Sequence, residues 1–225
     1  KAFESMLVGV FTHFASAKDI NYPTYTKLQT EVFDKAVSEL RKSGIQHALI
    51  EHLAATGGMM LEETYHRNAV RVGIGLYGMW PSKELEIQLD REFDLKPVLS
   101  WHTLISEIKT VPKGAFVGYD LAERTTRETR IAVLPIGYWH GFNRKLSHVG
   151  RVLVNGRSTR VLGRVSMDIT TIDVTDVACE PGDVATLIGM QGKEEVRAEH
   201  LAEKIGTTHY EVVTCINPLI ERVII

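Results

Sequence analysis

The sequence has little that would tie it to a membrane, to nucleic acid or to an oxidising compartment. Only two cysteines occur in 225 residues, Cys179 and Cys215, and neither stands in a CxxC or Cys/His ligand spacing. That scarcity argues against a disulfide framework and a cysteine metal centre, and it predicts buried thiols in a reducing compartment, the cytoplasm by default. No apolar run approaches the roughly 20 residues that span a bilayer. Basic blocks are missing too: 26 Lys+Arg against 28 Asp+Glu leave a net charge of −2, so neither nucleic acid nor an anionic membrane is expected as a partner. Internal repeats and low-complexity segments are absent. What remains, 44% hydrophobic and 24% charged, is ordinary globular material for one large domain or two.

One further absence decides the reading of a motif. "RVGIGLYG", residues 71–78, spells Gly73-x-Gly75-x-x-Gly78, the bare dinucleotide fingerprint. The fingerprint needs an amphipathic helix opening behind the glycines, yet Met79, Trp80 and Pro81 follow, and the acidic residues Glu84, Glu86, Asp90 and Glu92 lie in polar connecting sequence. The context therefore argues against NAD or FAD. Two readings stay open for Gly73 and Gly75: close packing in a strand interior, or backbone N–H groups approaching a single phosphate.

Two rhythms divide the chain. Residues 1 to about 90 alternate strand and helix. "MLVGVFTHFA" reads as a strand buried on both faces, and "TKLQTEVFDKAVSELRKSG" as a helix with Leu28, Val32, Phe33, Ala36, Val37 and Leu40 on one face and Gly44 as its stop. "QHALIEHLA" is a second strand, "LEETYHR" a short helical piece and "AVRVGIGLYG" a third strand. From about Leu95 the pattern changes to short strands with turn signals: "KPVLSWHTLISEIKTV", "RIAVLPIGY", "RVLV", the Asn155-Gly156 hairpin, "TRVLGRVSMDITTIDV" and "VATLIGM". One helix over about 198–205 interrupts these strands before "YEVVTCI", which reads as the last of them. The charged stretch 83–96 reads as the linker. The expected architecture is an α/β part followed by a mostly antiparallel all-β part.

Parallel α/β architectures carry functional residues just past the C-terminal ends of their strands. His13 after "GVFT", His52 after "ALIE" and the Arg71–Gly75 segment occupy such places. In the second part Tyr119, Tyr138 and Tyr210 stand beside glycine, Asp or His at strand ends.

The motifs "THFASAKD", "HLAATGG", "VRVGIGLYGMWPS", "LKPVLSW", "VGYD", "LPIGYWHGF", "GRVSMD" and "HYEVVTCI" occur in the order and approximate spacing of the alanine racemases, and the resemblance covers essentially the whole chain. It implies the C-terminal part of a (β/α)8 TIM-like barrel over residues 1–92, then a C-terminal antiparallel β-barrel domain over 93–225. It also implies the cofactor pyridoxal 5′-phosphate, alanine as substrate, and a bacterial homodimer whose active sites are shared between subunits, producing D-alanine for peptidoglycan precursors.

Site residues follow by resemblance. Gly73, Ile74, Thr56 and Tyr210 would hold the phosphate, His52 would lie near the cofactor ring and Arg71 would face the pyridine nitrogen. Tyr119 would be one of two proton-transfer groups. An ordinary tyrosine titrates near pH 10, so it needs help to act as a base; His13, linked to Arg71, would supply it. The Met167 N–H would hold the substrate carboxylate, and Tyr138, Arg164 and Asp168 would line a narrow opening for small amino acids.

Departures from the family accompany these matches. No lysine stands in the motif that carries the family's cofactor as a Schiff base, and the family's upstream carboxylate-binding arginine is unmatched. The chain enters an apolar run soon after Lys1, which predicts a fragment of a longer racemase, inactive alone, with an unpaired edge on its parallel strands. Thr56 stands where serine is usual, Ser166 for a frequent cysteine and Ala55 for a frequent asparagine, while Trp139 and His140 replace a small residue and Asp. A broader racemase, acting on serine or other small amino acids, and a non-catalytic binding module are the alternatives.

Overall fold

The computed structural model describes residues 6–225. They form two compact units that divide between Val98 and Leu99.

In the first unit β1 (Gly9–Phe11) pairs in parallel with β2 (Ile50–His52), and α1 (Thr24–Lys42) connects them. The β-α-β rhythm continues more weakly: α2 (Thr56–Leu61) follows β2, and Ala55 bridges in parallel to Arg71. The third strand expected over 69–78 shrinks to that bridge. Behind it the chain turns into a short 3₁₀ segment, Ile74–Tyr77, ended by Gly78 at φ 71°. A Cβ on Gly78 would stand 1.8 Å from the Lys96 carbonyl oxygen, so both backbone conformation and space demand glycine there.

The inner face of α1 also differs from the expected one. Leu28 and Val32 are exposed, as is Ala36, while Thr26 and Phe33 are buried. The cause lies in the loop after β1, whose polar groups need partners. Thr26 Oγ1 donates to Ser16 O at 2.6 Å, and Gln29 Nε2 donates to His13 O and Thr12 Oγ1, both at 2.8 Å. These polar residues outrank apolar ones for the inward positions because an unmade buried hydrogen bond costs more than an exposed leucine. Phe33 joins Phe14, Leu53, Ala54 and Tyr65 in the core. β1 was expected to be buried on both faces; Val8 and Phe11 are exposed, because β1 has one strand neighbour among the described residues.

The stretch 83–96 is not a plain linker. It opens with α3 (Lys83–Leu89), capped by Ser82, whose Oγ accepts from Leu85 N at 3.2 Å. Leu85 and Leu89, four apart, bury against Met60 and Trp80. The acidic residues fill the solvent face and first turn, where they favour the helix dipole.

The second unit is built on one eight-stranded antiparallel sheet. Its strands are β3 (Trp101–Leu104), β4 (Glu107–Val111), β7 (Thr129–Leu134), β8 (Arg151–Val154), β9 (Arg157–Leu162), β10 (Thr170–Asp173), β11 (Val184–Gln191) and β12 (Glu194–Val196); β5 (Phe116–Val117) and β6 (Glu123–Arg124) form a separate small hairpin. Hydrogen-bonded neighbours run β12-β11-β8-β9-β10-β7-β4, with β3 also on β11. Since β3 and β4 are consecutive, the segment 101–111 pairs with β11 in its first half and with β7 in its second. The two-residue hairpin at Asn155-Gly156, both at positive φ, joins β8 to β9 in the register Val154↔Arg157.

Two helices close this unit. α4 (Ala198–Ile205) buries Ala198, Leu201, Ala202 and Ile205 on one stripe. α5 (His209–Thr214) replaces the strand expected from "YEVVTCI". Its β-branched Val212 and Val213 favour a strand by propensity, but His209 and Val212, three apart, bury one helical face and decide the outcome. No helix among the described residues is long and apolar enough to cross a membrane.

Candidate functional site

In the first unit six of the singled-out residues converge at the ends of β1 and β2. Arg71 is the hub. Its Nη1 donates to His52 Nδ1 at 2.7 Å and to His52 O at 3.1 Å. Its Nη2 reaches Thr12 O at 2.9 Å, Leu53 O at 3.1 Å and His13 Nδ1 at 3.2 Å. A guanidinium only donates, so each imidazole offers Nδ1 as a lone pair and any ring proton sits on Nε2. The Phe11 ring lies 5.2 Å from the guanidinium and stacks on His52 at 5.3 Å. Burial lowers the Arg71 pKa from its usual value, but the residue stays protonated at any physiological pH.

Beside Arg71 the turn 73–75 wraps around one hydroxyl. Thr56, buried at the start of α2, accepts from Gly73 N at 3.0 Å and from Gly75 N at 3.3 Å. Its own hydroxyl hydrogen has no acceptor among the described residues, and Ile74 N likewise has no partner there. The glycines differ in purpose. A Cβ on Gly75 would stand 2.5 Å from Thr56 Cγ2, so this position needs glycine for the close approach. A Cβ on Gly73 would meet nothing within 4 Å, which leaves an open face over the backbone. The cradle is thus two polar hydrogens, one of them on buried Thr56, beside bare backbone: a fit for a phosphate group.

In the second unit the structure stitches three segments together. Tyr138 N donates to Ser166 O and Trp139 N to Met167 O, both at 3.0 Å. Gly137 permits this approach, since a Cβ there would lie 2.2 Å from Ser166 O. The loop carrying Tyr119 joins them through Arg164, whose Nε lies 2.9 Å from Asp120 Oδ2. Tyr119, Tyr138, Met167 and Asp168 all stand exposed, and Met167 N has no hydrogen-bond partner among the described residues. Tyr210 lies on α5, its ring 4.7 Å from that of His209; burial pushes its phenol up, which keeps the O–H a donor.

Several residues escaped sequence reasoning. Gln29 fixes the loop 12–15 from α1, accepting from Ala15 N at 3.0 Å as well as donating to Thr12 and His13. A signal existed: Gln29 stands four before Phe33, on the buried stripe. Phe11, Thr12 and Asp120 gave no such signal, because stacking, carbonyl and loop-tip roles have no fixed spacing. Among the described residues no group of three or more His, Cys, Asp or Glu could hold a metal ion.

Comparison with known proteins identifies the family of the chain. The family model for the alanine racemase C-terminal domain matches residues 98–224, and that for the N-terminal domain matches 3–81. Alanine racemases of Leptospira interrogans and Halothermothrix orenii are 38% and 40% identical to the chain, over 97% and 95% of its length. The chain covers 57% and 55% of those relatives. The crystal structure of the Bacillus anthracis alanine racemase with bound L-Ala-P superposes with a TM-score of 0.88 at 38% identity, over 93% of this chain and 53% of that one. A Bartonella henselae alanine racemase with covalently bound pyridoxal phosphate gives 0.80 at 27% identity, over 93% and 54%. The chain, an α/β unit followed by an antiparallel β unit that together span little more than half the length of these relatives, belongs to the alanine racemase family.

Proposed function

We propose that the chain supplies part of the machinery that interconverts L- and D-alanine: a cradle for pyridoxal 5′-phosphate, a contact for the substrate carboxylate and one of two proton-transfer groups. The observation that carries this reading is the Thr56–Gly73–Gly75 turn beside the Arg71–His52–His13 cluster. On the same reading residues 1–92 are the closing part of a (β/α)8 barrel, 93–225 are a β-barrel domain, and the protein is cytoplasmic.

Thr56 O–H and Ile74 N–H would bind the phosphate, with Gly73 N–H shared between it and Thr56; the resemblance alone adds Tyr210. Pyridoxal phosphate, when bound, supplies an electron sink for the charge left as an α-proton is removed. Arg71 would face its ring nitrogen. Held by three carbonyls and two imidazoles, the guanidinium donates a hydrogen bond and keeps its proton. His52 is fixed beside it by the Arg71 bond and the Phe11 stack.

Racemisation needs a proton taken from one face of Cα and returned on the other. Tyr119 is the proposed carrier on one face: its phenolate would take the α-proton of the enantiomer whose Cα–H points at it, and in the reverse direction its phenol would deliver a proton to that same face, forming that enantiomer. By resemblance it serves the partner subunit's site in a homodimer, where His13, with Nδ1 occupied by Arg71, has Nε2–H free to stabilise the phenolate. The lysine that works the opposite face in the family has no counterpart in residues 1–225. Met167 N–H would bind the substrate carboxylate, with Tyr138, Arg164 and Asp168 around a narrow opening. Trp139, half exposed beside Tyr138 with its ring edge on His140, favours a second reading in which the substrate is another small amino acid such as serine.

A chimera tests both readings. Residues 6–225 joined to the N-terminal portion of the Leptospira interrogans relative should racemise alanine, and Tyr119→Phe should lower the rate about 10²–10⁴-fold, the range for losing a general acid–base group. A serine rate above the alanine rate would favour the second reading. An active chimera indifferent to Tyr119→Phe would refute the assignment.

A further inference from the structure

We propose that Asp120 is a positioning residue: its ion pair with Arg164 holds the loop 118–122 in the conformation that presents Tyr119. The proposal rests on the reading of Tyr119 as a proton carrier for its relevance, but its observations are independent of that reading.

The loop is unusual in its backbone. Asp120 at φ 62° and Leu121 at φ 53° are consecutive non-glycine residues in the left-handed region, directly after Tyr119. Asp tolerates that region; a leucine does not adopt it unaided. Leu121 is exposed, so its own packing is not what holds it there. The constraint comes from the two ends of the loop. At its base the hairpin register pairs Val117 with Glu123, and the Glu123 carboxylate accepts from Arg160 Nη2 at 2.9 Å and from His148 Nδ1 at 3.0 Å. At its tip the backbone bond seen among the described residues is a long one, Ala122 N to Tyr119 O at 3.4 Å. A further tie is Asp120 Oδ2 to Arg164 Nε at 2.9 Å.

Arg164 is a firm anchor. Gly163, at φ 70°, lets the Val117 carbonyl approach where a Cβ would stand 2.6 Å away, and a Cβ on Gly118 would lie 3.4 Å from Arg164 N. The loop and its anchor therefore share a backbone contact, and the ion pair spans the adjacent gap. Arg164 Nε is buried and its N–H points off the line to Asp120, so the contact is coulombic rather than a directed hydrogen bond. Charge, not shape, should hold the tip. Losing it would leave the Tyr119 phenol swinging with its loop while the hairpin base stays closed.

The test uses the 225-residue chain and Asp120→Asn, which keeps size and left-handed tolerance but removes the charge. Amide hydrogen exchange of peptide 117–124 should speed about two- to fivefold, in keeping with a partly exposed ion pair, while peptides over 129–134 and 170–173 stay unchanged. Arg164→Gln should match it, and the double variant should be no faster than either single one. The unaltered chain in 1 M NaCl should show the same gain without any substitution, since the screening length there is about 3 Å. The Tyr119 ring resonances, assigned through Tyr119→Phe, should move toward random-coil values in Asp120→Asn. Wild-type exchange and ring shifts in Asp120→Asn, with Asp120→Ala alone loosening the loop, would overturn the proposal and leave Asp120 as a mere left-handed turn residue. Additive effects of the two substitutions would overturn it equally. Since neither readout involves turnover, a racemase indifferent to Tyr119→Phe would sink the functional reading without touching this one.

Discussion

Arg71 donates through Nη1 to Nδ1 of His52 at 2.7 Å, and the same guanidinium reaches Nδ1 of His13 at 3.2 Å through Nη2. One cation thus fixes the orientation of two imidazoles at neighbouring strand ends. Long-range nitrogen–proton spectra should show both rings with their proton on Nε2 and none on Nδ1. Arg71→Gln should release both tautomers. It should also destabilise the first unit by about 2–3 kcal/mol in urea unfolding, because the carbonyls of Thr12, His52 and Leu53 lose a charged donor. Unchanged tautomers in Arg71→Gln would contradict this arrangement.

Thr56 and Gly75 should be coupled. Gly75→Ala places a methyl 2.5 Å from Thr56 Cγ2, whereas a serine at position 56 lacks that carbon and keeps the hydroxyl acceptor. Gly75→Ala is therefore expected to cost about 1–3 kcal/mol beside Thr56, as overpacking does, and markedly less in a Thr56→Ser background. Thermal or urea unfolding of the four proteins closes the cycle, and equal costs in both backgrounds would refute the steric account.

Glu123 gives a pH signature. Burial pushes its carboxyl up, but hydrogen bonds from Arg160 and His148, the Arg160 charge and the Gly163 N–H together hold it below the usual range. A depressed folded-state pKa means that the stabilisation is present above the unfolded value, about 4.3, and is lost as pH falls through the folded value. Glu123→Gln should thus be less stable than wild type by about 1–2 kcal/mol at pH 7, with the gap closing below about pH 4. A gap that persists undiminished to pH 3 would show that the carboxylate charge is not what matters.

The sequence carried most of the second unit, because period-two strands and the Asn155-Gly156 turn are local signals. It carried the first unit less well. Gly73 and Gly75 read as part of a strand, but what they build is a turn around Thr56, and for Gly73 that follows from a contact with a residue seventeen positions away. The helix at 83–89 was legible in principle, with Ser82 as cap and Leu85 and Leu89 four apart, but its acidic face resembled a linker. At 209–214 strand propensity pointed the wrong way, since burial of His209 and Val212 is a tertiary matter. His13, His52 and Arg71 could be singled out one by one from strand ends and motifs; that a single guanidinium joins them could not.

The most direct test of the central claim is a titration of the chain with pyridoxal 5′-phosphate, read from the backbone amide resonances of Gly73, Ile74 and Gly75, with pyridoxal lacking the phosphate as control. The account predicts saturable shifts at these amides with the phosphate ester, absent with pyridoxal and weakened in Thr56→Ala. Equal shifts from both compounds, or none at these amides while others respond, would contradict the assignment of this turn as the phosphate site.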